Sequence, residues 1–249
     1  MSPSVLINEN ACAADIVRAY YRTARVFRKY DIEYCCGGRW PLKMVVEEKK
    51  LDGPKLMKEL EEACRVLITP AGLPYQTWSV DFLIDYIINI HHEYLRRSLN
   101  PLLEQVARFV EEHRKKYPEL EELSQHLQFL GKTMIPHLMQ EENVIFPYIR
   151  QISHAYESQE AYATLLVRTL RKPVEALMHE EHETIEKLLI RVRELTHYYT
   201  APENACTSHR LAFSLLKELD QDLVQHIFLE NEVLFPKAIA MEKELLARP

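Results

Sequence analysis

The stretch HLMQEENVIFP at residues 137–147 returns as HIFLENEVLFP at residues 226–236. Both copies place a glutamate four residues after a histidine, then an apolar pair and Phe-Pro: His137, Glu141, Val144, Phe146 and Pro147 against His226, Glu230, Val233, Phe235 and Pro236. Residues four apart lie one turn apart on the same face of an α-helix. Upstream of each copy stands another histidine beside acidic residues: His92 before Glu93, and His182 between Glu181 and Glu183. The interval from His92 to His137 is 45 residues and that from His182 to His226 is 44. Such self-similarity reads as two copies of one helical hairpin.

The repeat has geometric content. A turn centred near residue 115 puts His92 about 23 residues before it and His137 about 22 after. At 1.5 Å per residue both sit roughly 34 Å from the turn, at one height on neighbouring helices. A turn near residue 203 places His182 and His226 about 21 and 23 residues away, again a match. If the hairpins pack together, four histidines and two glutamates converge on one layer of the core.

Working outward, residues 78–249 read as long helices over about 81–110, 118–149, 173–199 and 208–246, with 150–170 a partly helical connection. The first carries Phe82, Ile84, Ile87, Leu95, Leu99 and Val106 on one face, and Pro101 is expected to kink or divide it. Residues 1–75 form a separate unit. Asp15 can N-cap a helix over 16–30, the chain turns through Cys35-Cys36-Gly37-Gly38, and a second amphipathic segment runs over 53–67 with Pro54 in its first turn. Pro70, Gly72 and Pro74 mark a linker. The expected fold is all-α: a small helical N-terminal domain, 1–75, followed by an antiparallel four-helix bundle, 76–249.

Composition agrees. The formal charge of −6 offers no basic face for nucleic acid. Of five glycines only Gly131 lies beyond residue 72, which excludes a glycine-rich nucleotide cradle or a many-turned β-sandwich in the bundle region. No secretory leader and no membrane span are expected. Five scattered cysteines do not make a disulfide framework, and a cytoplasmic location is taken by default.

Unpartnered buried carboxylates and imidazoles are costly, so two hairpins bringing the same pair to the same height point to a shared ion. Four His and two Glu are too many for one tetrahedral zinc. They suit two octahedral first-row metals with bridging carboxylates, for which iron is the usual occupant. Two such ions offer about twelve positions; the six side chains and an oxo or hydroxo bridge leave about two open for O2 or NO. The pattern is neither Glu-x-x-His nor the H-E-x-x-H zinc-protease motif, since His179 and His182 are three apart. His91, His126, His154, His179, His197 and His209 read as ordinary surface or hydrogen-bonded residues. His113 lies about 31 Å beyond His92 on a straight helix and reaches the layer only if the chain bends, for which Pro101 is the candidate.

At this point the residues resemble a known family. The bundle is similar to hemerythrin-like domains, and the N-terminal segment from Asp15 through Phe27-Arg-Lys-Tyr-Asp to Cys35-Cys36-Gly37-Gly38 resembles the short N-terminal domain of the RIC (repair of iron centres) proteins. The resemblance implies a non-haem di-iron protein, made under nitrosative or oxidative stress, that helps to restore damaged iron–sulfur clusters by supplying iron. It implies two irons per chain, held by His92, His137, Glu141, His182, His226 and Glu230, with iron–sulfur proteins as clients and NO or O2 as small ligands. A histidine at the His113 position is shared with the family, and whether it is a further ligand stays open, as does a homodimer. The segment 151–170 is longer than in compact members.

Adjacent cysteines can form only a strained, easily reduced vicinal disulfide. Cys35 and Cys36, before two glycines, are therefore a candidate redox or thiolate site, against the plainer reading of a turn with two small residues. Cys12, Cys64 and Cys206 are expected to behave as small apolar residues. Three functions compete: cluster repair by iron delivery, a di-iron nitric oxide reductase, and a hemerythrin-like O2 or redox sensor. The Cys-Cys domain favours repair over the sensor, and nothing in the residues separates repair from the reductase.

Overall fold

The structure, a computed structural model, describes residues 7–35, 38–64, 73–159, 165, 167–168 and 174–247, with backbone alone for 174–180. Among the described residues the chain is helical, without a β-strand; an isolated bridge pairs Cys12 with Pro41. It divides into two compact units: Met1–Ala71 with Tyr199–Lys217, and Gly72–Tyr198 with Glu218–Pro249.

The first unit is built from α1 (Ala13–Ala19), α2 (Ala24–Lys29), α3 (Leu42–Glu48) and α4 (Gly53–Cys64). The single helix expected over 16–30 is broken. Tyr20 leaves the helical region (φ −137°, ψ 80°), and a 3-10 turn, Tyr21–Thr23, precedes α2. The Thr23 hydroxyl donates to the Tyr20 carbonyl at 2.6 Å, which holds the break. Cys12, not Asp15, occupies the cap position of α1; Asp15 lies in its first turn and pairs with Arg18 at 3.1 Å. Helix α3 was not expected; it is short and begins just after Pro41. Ile16, Phe27, Leu42, Leu56, Leu60 and Leu211 are buried together in this unit's core.

The second unit holds α5 (Val80–Tyr86), α6 (Glu93–His113), α7 (Leu120–Gln140), α8 (Phe146–Glu157), α9 (Val174–Leu195), the C-terminal half of α10 (Thr207–Leu229) and α11 (Phe235–Ala247). Wide π-helical turns join α5 to α6 (Ile87–His92), α7 to α8 (Glu141–Ile145) and α10 to α11 (Glu230–Leu234). The described residues of this unit thus form four antiparallel helical segments. Ser79 caps the first, its hydroxyl accepting from the Phe82 amide at 3.3 Å. Pro101 lies inside α6, which runs on through it undivided. Proline removes one hydrogen bond, but Leu99, Leu102 and Val106 around it are fully buried and keep the helix on the core. Phe82 departs from the expected face: it is half exposed, edge-on to Trp78 at 4.7 Å.

The wide turns have a local cause in two of three cases. Pro147 and Pro236 have no N–H to offer the carbonyls of Asn143 and Glu232 four residues back, so the α ladder cannot continue through them. In the turn Glu141–Ile145 the Asn143 amide donates to the Met139 carbonyl at 2.7 Å. In the turn Ile87–His92 Asn89 does the same to Asp85 at 2.8 Å. Side-chain donors thereby take up carbonyls that a widened ladder releases. Helices α6 and α7 approach closely at Gly131, where a methyl group would run into Leu103 Cδ1.

Candidate metal centre

The layer forms where the wide turns sit. His92 ends the first, while Glu141 and Glu230 begin the other two, immediately after the last turns of α7 and α10 that hold His137 and His226. His182 comes from α9. All six side chains are buried, Glu141 and Glu230 completely.

Their ligand atoms fall into two sets. His92, His226, Glu141 and Glu230 bring one atom each within 4.8 Å of one another, and so do His137, His182, Glu141 and Glu230. Both carboxylates belong to both sets; the imidazoles divide two and two. His137 Nε2 is 3.2 Å from Glu141 Oε1, His92 Nε2 is 3.3 Å from Glu141 Oε2, and His182 Nε2 is 3.4 Å from Glu230 Oε2. His226 Nε2 is 3.0 Å from Glu230 Oε1.

The donor set fits cations. Neither Glu141 oxygen has a hydrogen bond, nor has Glu230 Oε2 or His182 Nε2, although all are buried. Burial and then the neighbouring Glu141 carboxylate push Glu230 well above the usual carboxylate range. Burial opposes ionisation of Glu141 too, but contacts with His137, His182 and His92 hold it well below that range. Burial also disfavours charged His92, His137 and His182; Glu141 foremost overcomes it, raising all three, His137 to about 9. His226, where burial dominates, is held well below the usual value. Without an ion the layer is thus biased towards a neutral Glu230 carboxyl and towards charged His92, His137 and His182. Positive ions between the two carboxylates would let both ionise and all four imidazoles be neutral ligands.

The outer sides of the imidazoles are also furnished, by residues not foreseen. His92 Nδ1–H donates to Glu142 at 2.6 Å, and Glu142 is itself paired with Arg96 at 2.6 Å. His137 Nδ1–H donates to Glu181 at 2.6 Å and His182 Nδ1–H to Asn231 at 2.8 Å. These acceptors fix the tautomer that turns Nε2 inward. Each is one residue from a layer residue, which was the available signal: Glu142 and Asn231 follow the glutamates, and Glu181 precedes His182.

The remaining histidines separate. His113 lies outside both sets, its Nδ1–H donating to the Phe109 carbonyl at 2.9 Å. His126 and His154 make ordinary contacts with Glu122 and Asp81. The His179 side chain lies outside the described residues. His91, expected to be ordinary, is buried beside the layer, its ring parallel to that of His226. Cys35 is half-buried in a bend, and Cys36 lies outside the described residues. Gly38 is needed where it is: a Cβ would sit 2.6 Å from Tyr34 Cα and 2.8 Å from the Glu33 carbonyl oxygen. Cys12 is more than a small apolar residue, since its thiol donates to the Arg39 carbonyl at 3.0 Å. Cys64 fits that reading, with burial pushing its thiol up to about 11.

Comparison with known families matches residues 9–64 to ScdA_N, described as a domain of unknown function (DUF542), and residues 83–238 to the hemerythrin HHE cation binding domain. The chain is 31% identical over 228 residues to a protein of Enterobacter sp. (strain 638) named iron-sulfur cluster repair protein YtfE, spanning 92% of this chain and 96% of that one. It is 31% identical over 221 residues to the protein of the same name from Citrobacter koseri, spanning 89% and 93%. The Escherichia fergusonii protein of that name matches at the same identity and the same spans.

Proposed function

As this chain belongs to the family of iron–sulfur cluster repair proteins that join an ScdA_N domain to a hemerythrin domain, we propose that it is a non-haem di-iron protein that repairs iron–sulfur clusters by supplying iron. The observation that carries the reading is the sharing of Glu141 and Glu230 between two four-residue sets. His92 and His226 would hold one iron, His137 and His182 the other, and the two carboxylates would bridge them. Bound there, the irons would supply redox chemistry towards NO or O2 and a store of metal for a damaged cluster. The chain's own part is to keep the imidazoles turned with Nε2 inward through Glu142, Glu181 and Asn231, and to shield the layer with Phe146, stacked on His92, and Phe235, stacked on His182.

A thiol role for Cys35 and Cys36, in iron transit or exchange with a client, is part of this proposal. It is supported by their place within the ScdA_N match and by the partial exposure of Cys35. So are iron–sulfur proteins as clients and a cytoplasmic setting. Among the described residues no helix is long and apolar enough to cross a membrane.

The test is metal content with an optical spectrum, followed by anaerobic transfer. Two irons per chain with oxo-bridge charge-transfer bands are expected, and stoichiometric iron loss to an apo-cluster acceptor. One zinc per chain overturns the reading. Catalytic release of nitrous oxide from NO, without iron transfer, replaces repair by nitric oxide reduction.

A further inference from the structure

We propose that His91, anchored by Asp222, is the positioning residue for His226, and so governs one of the two metal positions separately from the other. The inference rests on the layer being a metal site.

A ligating imidazole that turns Nε2 to a metal must keep a proton on Nδ1, and in a buried place that N–H needs an acceptor. Three of the four have one in Glu142, Glu181 and Asn231. His226 does not: its Nδ1 is buried without a hydrogen-bond partner. The repeat says where the missing acceptor belongs. Glu142 and Asn231 are equivalent, one residue after each glutamate, and serve His92 and His182. Glu181, one residue before His182, serves His137. Its equivalent in the first hairpin, one residue before His92, is His91.

His91 is made for that place. It is 1% exposed, and its Nδ1 lies 2.9 Å from Asp222 Oδ1. A carboxylate can only accept, so Nδ1 of His91 carries a proton, and in the singly protonated ring Nε2 is the acceptor. That Nε2 is buried and likewise has no hydrogen-bond partner. The His91 and His226 rings lie parallel, 4° apart in plane, with centroids 5.8 Å apart. An orphaned donor and an orphaned acceptor thus lie on neighbouring parallel rings, and a swing of either ring or a bridging water would join them. The two halves of the site are then unlike. His137 leans on a carboxylate, whereas His226 leans on an imidazole that is held by a carboxylate one step further out.

The experiment uses the full chain loaded anaerobically with ferrous iron, and follows release to a coloured chelator. The wild type is expected to hold two irons. In His91→Phe, which keeps a ring but offers no acceptor, one iron should leave on the order of 10- to 100-fold faster while the other keeps its wild-type rate. His91→Gln, which returns an amide oxygen, should restore the slow rate. Asp222→Ala should accelerate the same single iron, and guards against a His91→Phe chain that does not fold. The Mössbauer signal of one iron only should change. A wild type with two irons and a His91→Phe protein releasing both at wild-type rates, or both equally faster, overturns this inference alone. A wild type that holds no metal pair overturns the reading beneath it as well.

Discussion

The Nε2 atoms of His92 and His226 meet at 3.1 Å, although the residues lie 134 apart in sequence. Two imidazoles placed nitrogen to nitrogen can share one proton at most. A cation held between them and the two carboxylates would remove that conflict, and removing each side chain of the layer should then have its own consequence.

Because Glu141 and Glu230 each belong to both four-residue sets, Glu141→Ala and Glu230→Ala should each reduce bound iron at both positions. His182→Ala should weaken chiefly the position it shares with His137. Iron per chain by elemental analysis, after gel filtration, separates the two patterns. Equal losses in all three variants would mean that the carboxylates are not shared.

Metal removal should destabilise the bundle. An ion present at about a thousand times its dissociation constant contributes ~4 kcal/mol, roughly 10 °C for a chain of this size. Calorimetry of the iron-loaded and chelator-stripped chain should show that drop. Coincident melting curves would contradict it.

Cys35→Ser combined with Cys36→Ser should leave iron content and the optical bands of the bundle unchanged while lowering transfer to an apo-cluster acceptor. Undiminished transfer would sink the thiol role.

Glu122 on α7 meets Arg191 on α9 at 2.6 Å, and the guanidinium holds its carboxyl down to about 2. A depressed carboxyl stabilises the folded state above the ordinary value near 4.5 and loses that contribution as pH falls towards 2. The metal-free chain should therefore outlast Glu122→Gln in denaturant at pH 6, with the difference shrinking between pH 4.5 and 2. The pair is exposed, so the effect should be small and should fall with added salt. A difference that persists at pH 2 contradicts the assignment.

His197, Tyr198 and Tyr199 follow α9 with φ of 48°, 54° and 61°. That region costs an L-residue roughly 1–2 kcal/mol, and Tyr198 is 72% exposed, so little packing is lost with its ring. Tyr198→Gly should raise the unfolding free energy by about 1 kcal/mol, after allowing for glycine's greater freedom when unfolded. A lower denaturant midpoint would show that the ring matters more than the backbone.

The layer was legible because its signal is one-dimensional. His-to-Glu spacing and the distance of each His from its turn translate directly into faces and heights, and His92, His137, Glu141, His182, His226 and Glu230 follow from them. What lay beyond the reach of spacing was azimuth. Whether His91 points to water or to the layer depends on the width of the turn it occupies, and the turn Ile87–His92 is not an α turn. Glu142 and Asn231 were hidden in the same way, since each sits in a wide turn. In the N-terminal unit, the break at Tyr20 rests on a hydroxyl–carbonyl bond from Thr23 that no periodicity records. At Pro101 spacing left a kink and a division open, and the helix is undivided because burial on both sides outweighs one missing hydrogen bond.

The three wide turns set a limit on how this chain can change length. Each behaves as a single residue inserted into an α-helix. Deleting one residue between Glu141 and Phe146 would let the ladder close to α geometry with the helices on either side kept in phase, so that only the residues inside the turn change direction. Phe146 and Ile149, fully buried, would keep their places, and the change would fall on Glu142, the acceptor for His92. Loops elsewhere can gain or lose residues cheaply, but at these turns the reading frame of the helix is itself part of the site.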